Sequence, residues 1–454
     1  MVSDLIYALI SLVKRVLLRR RSPYHRIAYE FDRPTTTATL NRLLDYGLLS
    51  RAKQRLALSQ AEHPLVMARI AFLEGAQDSA VEMSSVAMAL YPKGSKEHER
   101  AWKLLIRLSP TRALKLAQKS NNRRMVTRIS VACGLDADVN FEPLLLREGD
   151  ELLLSANLAN AVTDKVSLLN KYFSEMNLRP VTVAIGSSRF DINTFGTDAT
   201  THLKQAPACT VSVIMTVKDA ESYVRSSILS ALNQVGVVVQ LVIIDDGSTD
   251  RSWEIISELH RDHPDRVFPT RLRSNIGTYA AKNLALQKCT AEFIAFQDAD
   301  DWSHSERLYR AVSWLNRSNN NVAVTCRYVR LNEASRFYSP AGWPLRQWSP
   351  NTLVFRRTPV LELVGRFDQV RFGADTDYFE RIRARFGDRR INFQRETMLI
   401  AMGLSSSLMH NGVTGTDRFG YSEARTRYRE TSAERILRDI SMPNILSRKK
   451  PHHT

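Results

Sequence analysis

From Cys209 onward the chain alternates short apolar runs of strand type with stretches of helical periodicity, and two of the runs end in clusters of carboxylates. Thr210-Val-Ser-Val-Ile-Met-Thr216 is rich in β-branched residues, and Asp219 is placed to cap a helix reaching Gln234 with Val224, Ile228 and Leu232 turned inward. Gln240-Leu-Val-Ile-Ile244 reads as a buried strand that stops at Asp245-Asp246-Gly247-Ser248. A helix over about 249–260, a strand near 266–272 and a helix over 277–289 follow. Glu292-Phe-Ile-Ala-Phe296 is the next strand, ending in Gln297-Asp298-Ala299-Asp300-Asp301. Such alternation predicts an α/β architecture with a mainly parallel central sheet. Ligands of these sheets bind beyond the carboxyl ends of the strands, where both acidic clusters fall.

Three carboxylates after an apolar strand repel one another and resist ionisation, a penalty that a divalent cation removes. Carboxylate oxygens are hard ligands suited to Mn²⁺ or Mg²⁺, which typically bind through one or two carboxylates plus substrate phosphates. Asp298, Asp300 and Asp301 are therefore candidate metal ligands. The alternative is a solvated loop, or the cap of a helix over 305–315. The Asp245–Asp250 stretch is open in the same way. Asp-Gly-Ser is turn chemistry, with Ser248 as a helix cap, yet a strand-end carboxylate also accepts hydrogen bonds from a base or ribose.

Val211-Ser-Val-Ile-Met-Thr216, Ser230-Ala-Leu-Asn-Gln234, Val242-Ile-Ile-Asp-Asp-Gly-Ser-Thr-Asp250, Asn275-Ile-Gly277 with Ala281-Lys-Asn283, and Gln297-Asp-Ala-Asp-Asp301 stand in one order and spacing. Together they resemble the family 2 glycosyltransferases over about 209–428. The resemblance implies the type A nucleotide-sugar fold, a divalent metal and inversion at the anomeric carbon. By it, Thr216 and Asp246 look like the residues that hold the nucleotide base, and Lys282 stands near the nucleotide. Asp298 and Asp300 match the aspartates that serve ribose and metal, with Asp301 adjacent. Val217-Lys218-Asp219 departs from the family, where an aromatic followed by Asn is usual. Gly373-Ala-Asp-Thr-Asp377 matches the helix start that carries the general base. Asp375 stands at the base position and Asp377 two residues on, both being also acids that complement a helix dipole. His410, late in the domain, is similar to a metal-binding His of some members of the fold. Trp343 and Trp348 flank Pro344 as candidates for stacking on a sugar. Arg381 and Arg385 share a helical face and are candidates, with neighbouring arginines, for a diphosphate or an acidic glycan.

The remainder of the chain reads differently. Over 36–133 apolar residues recur at helical spacing, with breaks at Pro64, Gly75, Pro92-Lys93-Gly94 and Ser109-Pro110. This predicts an all-α array of helical hairpins similar to the tetratricopeptide kind, though without that repeat's self-similarity at about 34 residues. Such an array offers a partner or oligomer surface, or is a packed cap. The segment over 139–207 mixes a helix at 161–176 with a strand-like run at 181–185, and 186–205 reads as a linker. At the start, the apolar run Leu5–Val13 is followed by Lys14, Arg15, Arg19, Arg20 and Arg21. It is shorter than the roughly 20 residues a spanning helix needs. It fits an interfacial anchor on an anionic membrane surface, or a first helix packed on its own domain.

The chain therefore divides into an amphipathic basic segment at 1–30, a helical-hairpin domain at 31–138, a mixed segment at 139–207, the catalytic domain at 208–430 and a basic tail at 431–454. The 64 Lys and Arg against 47 Asp and Glu give a net charge of +17, which points to polyanionic partners. Four cysteines without CxxC spacing make a zinc cage an unneeded reading and fit a reducing, cytoplasmic setting, peripheral on the inner face of the membrane. The expected function is transfer of a sugar from a nucleotide-diphosphate donor, a UDP-sugar by the resemblance, to a glycan or lipid-linked acceptor of the bacterial envelope. A nucleotidyltransferase would carry a Gly-rich phosphate loop where Thr216-Val-Lys-Asp219 stands. A non-catalytic helical scaffold with a vestigial transferase domain would not need the full acidic set. A nucleic-acid binder would show a recognisable motif, and none is present.

Overall fold

The structure is a computed structural model and describes residues 35–135, 149–184, 187–197, 209–404, 416–417 and 420–441. The basic segment at 1–30, His410 and the tail beyond 441 lie outside the described residues.

The first region is helical throughout: α1 (Thr37–Asp45), α2 (Leu49–Ala57), α3 (Pro64–Leu73), α4 (Gln77–Leu90), α5 (Lys96–Leu108), α6 (Pro110–Lys119) and α7 (Arg123–Cys133). Its punctuation is the one the sequence carries. Pro64 and Pro110 open α3 and α6, where a missing N–H costs nothing. Thr36, Ser95 and Asn122 cap α1, α5 and α7 by accepting from the amides of Thr39, His98 and Met125. Gly134 closes α7 in the left-handed region. The next segment holds α8 (Asp150–Leu158), α9 (Val162–Ser174), β1 (Val181–Val183) and β2 (Phe195–Thr197), the two strands pairing antiparallel. The stretch read as a linker thus includes a strand, and Phe190 and Ile192 within it are buried. Phe190 lies edge-on to Phe195 and Phe337 at 5.1 and 5.8 Å, contacts that local composition does not reveal.

The α/β domain runs β3 (Thr210–Val217), α10 (Val224–Leu232), β4 (Val238–Asp245), α11 (Ser252–Asp262), β5 (Val267–Arg271), α12 (Thr278–Lys288) and β6 (Phe293–Phe296). It continues through β7 (Asp301–Ser303), α13 (Arg307–Leu315), β8 (Ala323–Asn332), β9 (Phe337–Tyr338), β10 (Gln347–Trp348), β11 (Val354–Arg356), α14 (Arg357–Leu363), α15 (Ala374–Phe386) and β12 (Ile391–Gly403). A short pair, β13 (Thr416–Asp417) with β14 (Gly420–Tyr421), precedes α16 (Glu423–Ser441). The main sheet has the order β5-β4-β3-β6-β11-β8-β12-β7. It is parallel from β5 to β6. Beyond β6 it is mixed: β11 is antiparallel to both neighbours, β8 and β12 are parallel, and β7 is antiparallel to β12.

Both faces of the parallel half are covered, which explains why β4 reads as an unbroken apolar run. Leu241 and Ile243 pack with α10, α11 and α13, while Val242 and Ile244 pack with α12, α14 and α15. The helix expected from Asp219 begins only at Val224. Asp219 has φ +48° and its carboxylate accepts from the Thr249 amide at 2.7 Å, so it ties two loops together instead of capping. The mixed half of the sheet is covered by α8, α9 and β2, through Leu152, Tyr172, Phe190, Met398 and Met402. The helix α16 continues past 431 and buries Ala433, Ile436 and Leu437 against Leu40 and Leu44 of α1 and Ala384 of α15. Ile436 and Leu437 each contribute about 1.5–3 kcal/mol when fully removed from water, so α16 is a structural helix and not a trailing tail.

The helical region is also clamped to the loop after β9. Gly342 has φ +72°, and a Cβ there would lie 2.7 Å from Ile106 Cγ2 and 3.1 Å from Cys133 Sγ. Gly365 has φ +81° with nothing within 4 Å of such a Cβ. Gly365→Ala should therefore cost only backbone strain, about 1 kcal/mol, and Gly342→Ala about 1–3 kcal/mol more through overpacking. Urea unfolding followed by circular dichroism measures both; equal losses would show that the close approach at Gly342 is not a constraint.

Candidate active site

The loops after β3 and β4 are bound to each other by reciprocal side-chain-to-backbone hydrogen bonds. Ser248 Oγ accepts from the Asp219 amide at 3.0 Å, Ser252 Oγ from Ala220 at 2.8 Å and Asp250 from Glu221 at 2.9 Å. Ser248 therefore serves this lattice and does not cap α11, whose first turn begins later. Asp245, fully buried, accepts from the Ser248 amide at 3.0 Å and faces Arg271 Nε at 3.3 Å. Asp246 is also buried, and its two oxygens accept from the amides of Ile276 at 2.7 Å and Gly277 at 2.9 Å. It thereby fixes the turn into α12. Thr216 at the end of β3 bonds Thr278, the first residue of that helix, at 2.9 Å. One turn on, the buried Lys282 reaches Asp298 at 3.5 Å. The nucleotide-side candidates Thr216, Asp246, Lys282 and Asp298 are thus linked through one helix start.

The second cluster leaves β6. Asp298 is bracketed by Lys282 and by Asn351 Nδ2, from the loop before β11. Burial and then the neighbouring Asp298 push the Asp300 carboxyl up to about 6. Burial, Asp300 and Asp298 raise Asp301 well above the ordinary carboxylate range. Beneath them lies Arg307, almost fully buried, which donates to the Phe296 carbonyl at 2.6 Å and to Ser303 Oγ at 2.8 Å. Crowded hard oxygens whose ionised forms disfavour each other fit a divalent cation. Among the described residues no group of three His, Cys, Asp or Glu side chains is arranged to hold a metal ion by itself.

Gly373, at φ +76°, turns the chain into α15 and places Asp375 and Asp377 in its first turn. Their surroundings differ. Asp377 is buried, accepts from Arg381 Nε at 2.8 Å and Arg435 Nη2 at 2.7 Å, and is bonded by Ser432 of α16. Asp375 is half-buried and lies beside Tyr279, whose phenol burial and then the Asp375 charge raise well above its usual range. Arg381 also donates to the carbonyls of Val364 and Arg366, and Arg383 pairs with Glu380 and Asp388. These two arginines hold the fold around α15 and are not arrayed toward a diphosphate.

A cavity of about 590 Å³ brings Asp298, Asp300, Asp301, Asp375 and Asp377 together. Thr216, Asp246 and Lys282 do not line it. The tryptophan pair separates: Trp348 lines the cavity, its ring tilted at 49° to that of Phe379 at 4.8 Å, while Trp343 sits under Arg128 of α7 at 5.2 Å. Asn351, Arg330 and, at the end of α1, Asp45 and Tyr46 also line the cavity. No motif marked them. Arg307 carried a signal only in its placement one helix start after the acidic cluster.

A model of the family described as Glycosyl transferase family 2 matches residues 212–379, the stretch from β3 into α15. The chain is 39% identical over 106 residues to an uncharacterized glycosyltransferase of Haemophilus influenzae, which covers 23% of this chain and 42% of that protein. It is 35% identical over 92 residues to the putative glycosyltransferase EpsH of Bacillus subtilis, covering 20% and 26%. The crystal structure of S. aureus TarS 1-349 in complex with UDP-GlcNAc aligns with 51% of this chain and 71% of that one at 17% identity, with a TM-score of 0.37. Over residues 212–379 the chain is thus similar to the family 2 glycosyltransferases. It spans less than half the length of these two curated relatives.

Asp246→Asn should leave one of two buried amides facing an NH₂ group instead of an oxygen. That mismatch costs about 1–3 kcal/mol and should speed hydrogen exchange at Ile276 and Gly277. Unchanged exchange at both amides would remove the carboxylate as the organiser of the α12 start.

Proposed function

We propose that the chain is a metal-dependent, inverting glycosyltransferase that moves a sugar from a nucleoside-diphosphate donor, a UDP-sugar by preference, to a glycan or lipid-linked acceptor of the bacterial envelope. The observation that carries this reading is the convergence of the β6 carboxylates and Asp375 on one cavity. In it, Thr216, Asp246 and Lys282 serve the nucleotide side, and Asp298, with Asp300 and Asp301, would hold Mn²⁺ or Mg²⁺. His410 remains a candidate ligand outside the described residues. A divalent ion bound there would supply positive charge to offset the charge on the leaving diphosphate.

Asp375 is the preferred base. Inversion requires a carboxylate able to take the proton from the acceptor hydroxyl as that oxygen attacks opposite the leaving group. Asp377 is engaged by two guanidinium groups and a hydroxyl, which commit its oxygens to partners within the fold. Asp375, half-buried, accepts from the amide of Thr376 at 2.8 Å. Arg307 supplies fixed positive charge below the acidic cluster and so limits the cost of holding it ionised.

The decisive experiment presents a panel of nucleotide sugars with Mn²⁺ and reads nucleoside diphosphate release, with and without excess chelator. Release that needs the ion is expected; full turnover in chelator removes the metal from the reaction. In the same assay Asp375→Asn should cost about 10²–10⁴-fold in turnover at unchanged donor affinity. Asp377→Asn should mainly lower the melting temperature. The reverse pattern would transfer the base role to Asp377.

No helix among the described residues is long and apolar enough to cross a membrane. We propose that Leu5–Arg21 anchors the protein peripherally on an anionic leaflet. Deleting residues 1–21 should release it from phosphatidylserine-containing vesicles while nucleotide binding persists; retained vesicle binding would rule the anchor out.

A further inference from the structure

The outer wall of the catalytic cavity comes from a part of the chain that the family match does not include. Asp45 and Tyr46, at the turn leaving α1, line the same cavity as Asp300 and Asp375. That turn is held firmly. The Asp45 carboxylate bridges Arg69 at 2.7 Å and Arg100 at 3.1 Å, and its backbone oxygen accepts from Arg429 of α16 at 2.7 Å. Gly47 follows at φ +81°, and a Cβ there would lie 2.8 Å from Arg429 Cγ, so the turn is pressed against α16. The Tyr46 hydroxyl accepts from Arg383 Nη2 at 3.2 Å, with that guanidinium 5.4 Å from the ring centroid. Burial, partly offset by Arg383, pushes the phenol up to about 12, so it stays a neutral hydroxyl at physiological pH.

The lining has a recognisable chemistry. Tyr46, Tyr328, Trp348 and Tyr428 present rings among carboxylates and guanidinium groups. Flat rings pack against the C–H face of a sugar, and the charged groups take its hydroxyls. Of the nucleotide-side candidates only Asp298 lines this cavity, which leaves the rest of its space for the sugar and whatever receives it.

We propose that the α1–α2 turn of the helical domain is part of the acceptor site, with Tyr46 holding an incoming glycan in reach of Asp375. The inference rests on the transfer reaction proposed above and adds a role to it. The helical domain then selects the acceptor, in addition to any surface it offers to other proteins.

The test uses the full chain with Mn²⁺ and UDP, GDP or dTDP. The probes are p-nitrophenyl glycosides of glucose, galactose and N-acetylglucosamine, titrated by saturation-transfer NMR. Wild type should bind at least one glycoside. Tyr46→Ala should weaken that binding about tenfold or more, about 1.4 kcal/mol, while Tyr46→Phe, which keeps the ring, stays within about threefold. Nucleotide affinity should be the same in all three. No glycoside bound by wild type, equal binding by Tyr46→Ala, or parallel loss of nucleotide and glycoside would each overturn the assignment. Should Tyr46→Ala fail to fold, Tyr46→Trp adds bulk at the same place and should reduce glycoside binding; unchanged binding overturns it. Absence of nucleotide binding by the wild type would sink the transferase reading itself, and the acceptor role with it.

Discussion

Three aspartates at the end of one buried strand are the constraint around which the catalytic half is arranged. Ionised carboxylates in a low-dielectric setting repel each other, and burial together with that repulsion raises Asp300 and Asp301. The fold answers with positive charge from several elements. Lys282 approaches Asp298 from α12, and Arg307 lies beneath from the start of α13. A buried guanidinium is costly without good partners, and Arg307 finds them in the Phe296 carbonyl and Ser303. The position of α12 is itself set by Asp246 through the Ile276 and Gly277 amides. The two acidic clusters are therefore coupled: the first organises the helix that partly neutralises the second.

Much of this domain was legible because its signals are local. The strand at β4 is buried on both faces and so is continuously apolar, and the acids after β4 and β6 fall where such strands end. What stayed hidden depends on contacts between distant residues. The register of β12 against β8 shifts twice near Thr397, which breaks the alternation a strand would otherwise show. Asp219 and Ser248 each have cap chemistry, yet they satisfy one another's loops. Their sequence patterns are identical to those of true caps, and only the neighbouring loop decides.

At the site, the residue types were readable and their division of labour was not. Asp375 and Asp377 stand in the same helix turn, and both complement its dipole. The difference between them is supplied by Ser432 and Arg435, more than fifty positions away. Arg381 and Arg385 share a helix face in the sequence, but Arg381 spends its hydrogen bonds on Asp377 and two carbonyls. Tyr46 had no motif around it, since its place in the cavity follows from how α1 lies on α16.

That packing of α1 on α16 sets an order of events during synthesis. Arg429 of α16 and the Asp45 carbonyl at the end of α1, whose hydrogen bond joins the two elements, are 384 positions apart. At roughly 5–20 residues per second, the first helices wait tens of seconds on the ribosome for the surface that covers Leu40 and Leu44. The cavity acquires its outer wall last, when the most C-terminal of the described helices meets the most N-terminal one.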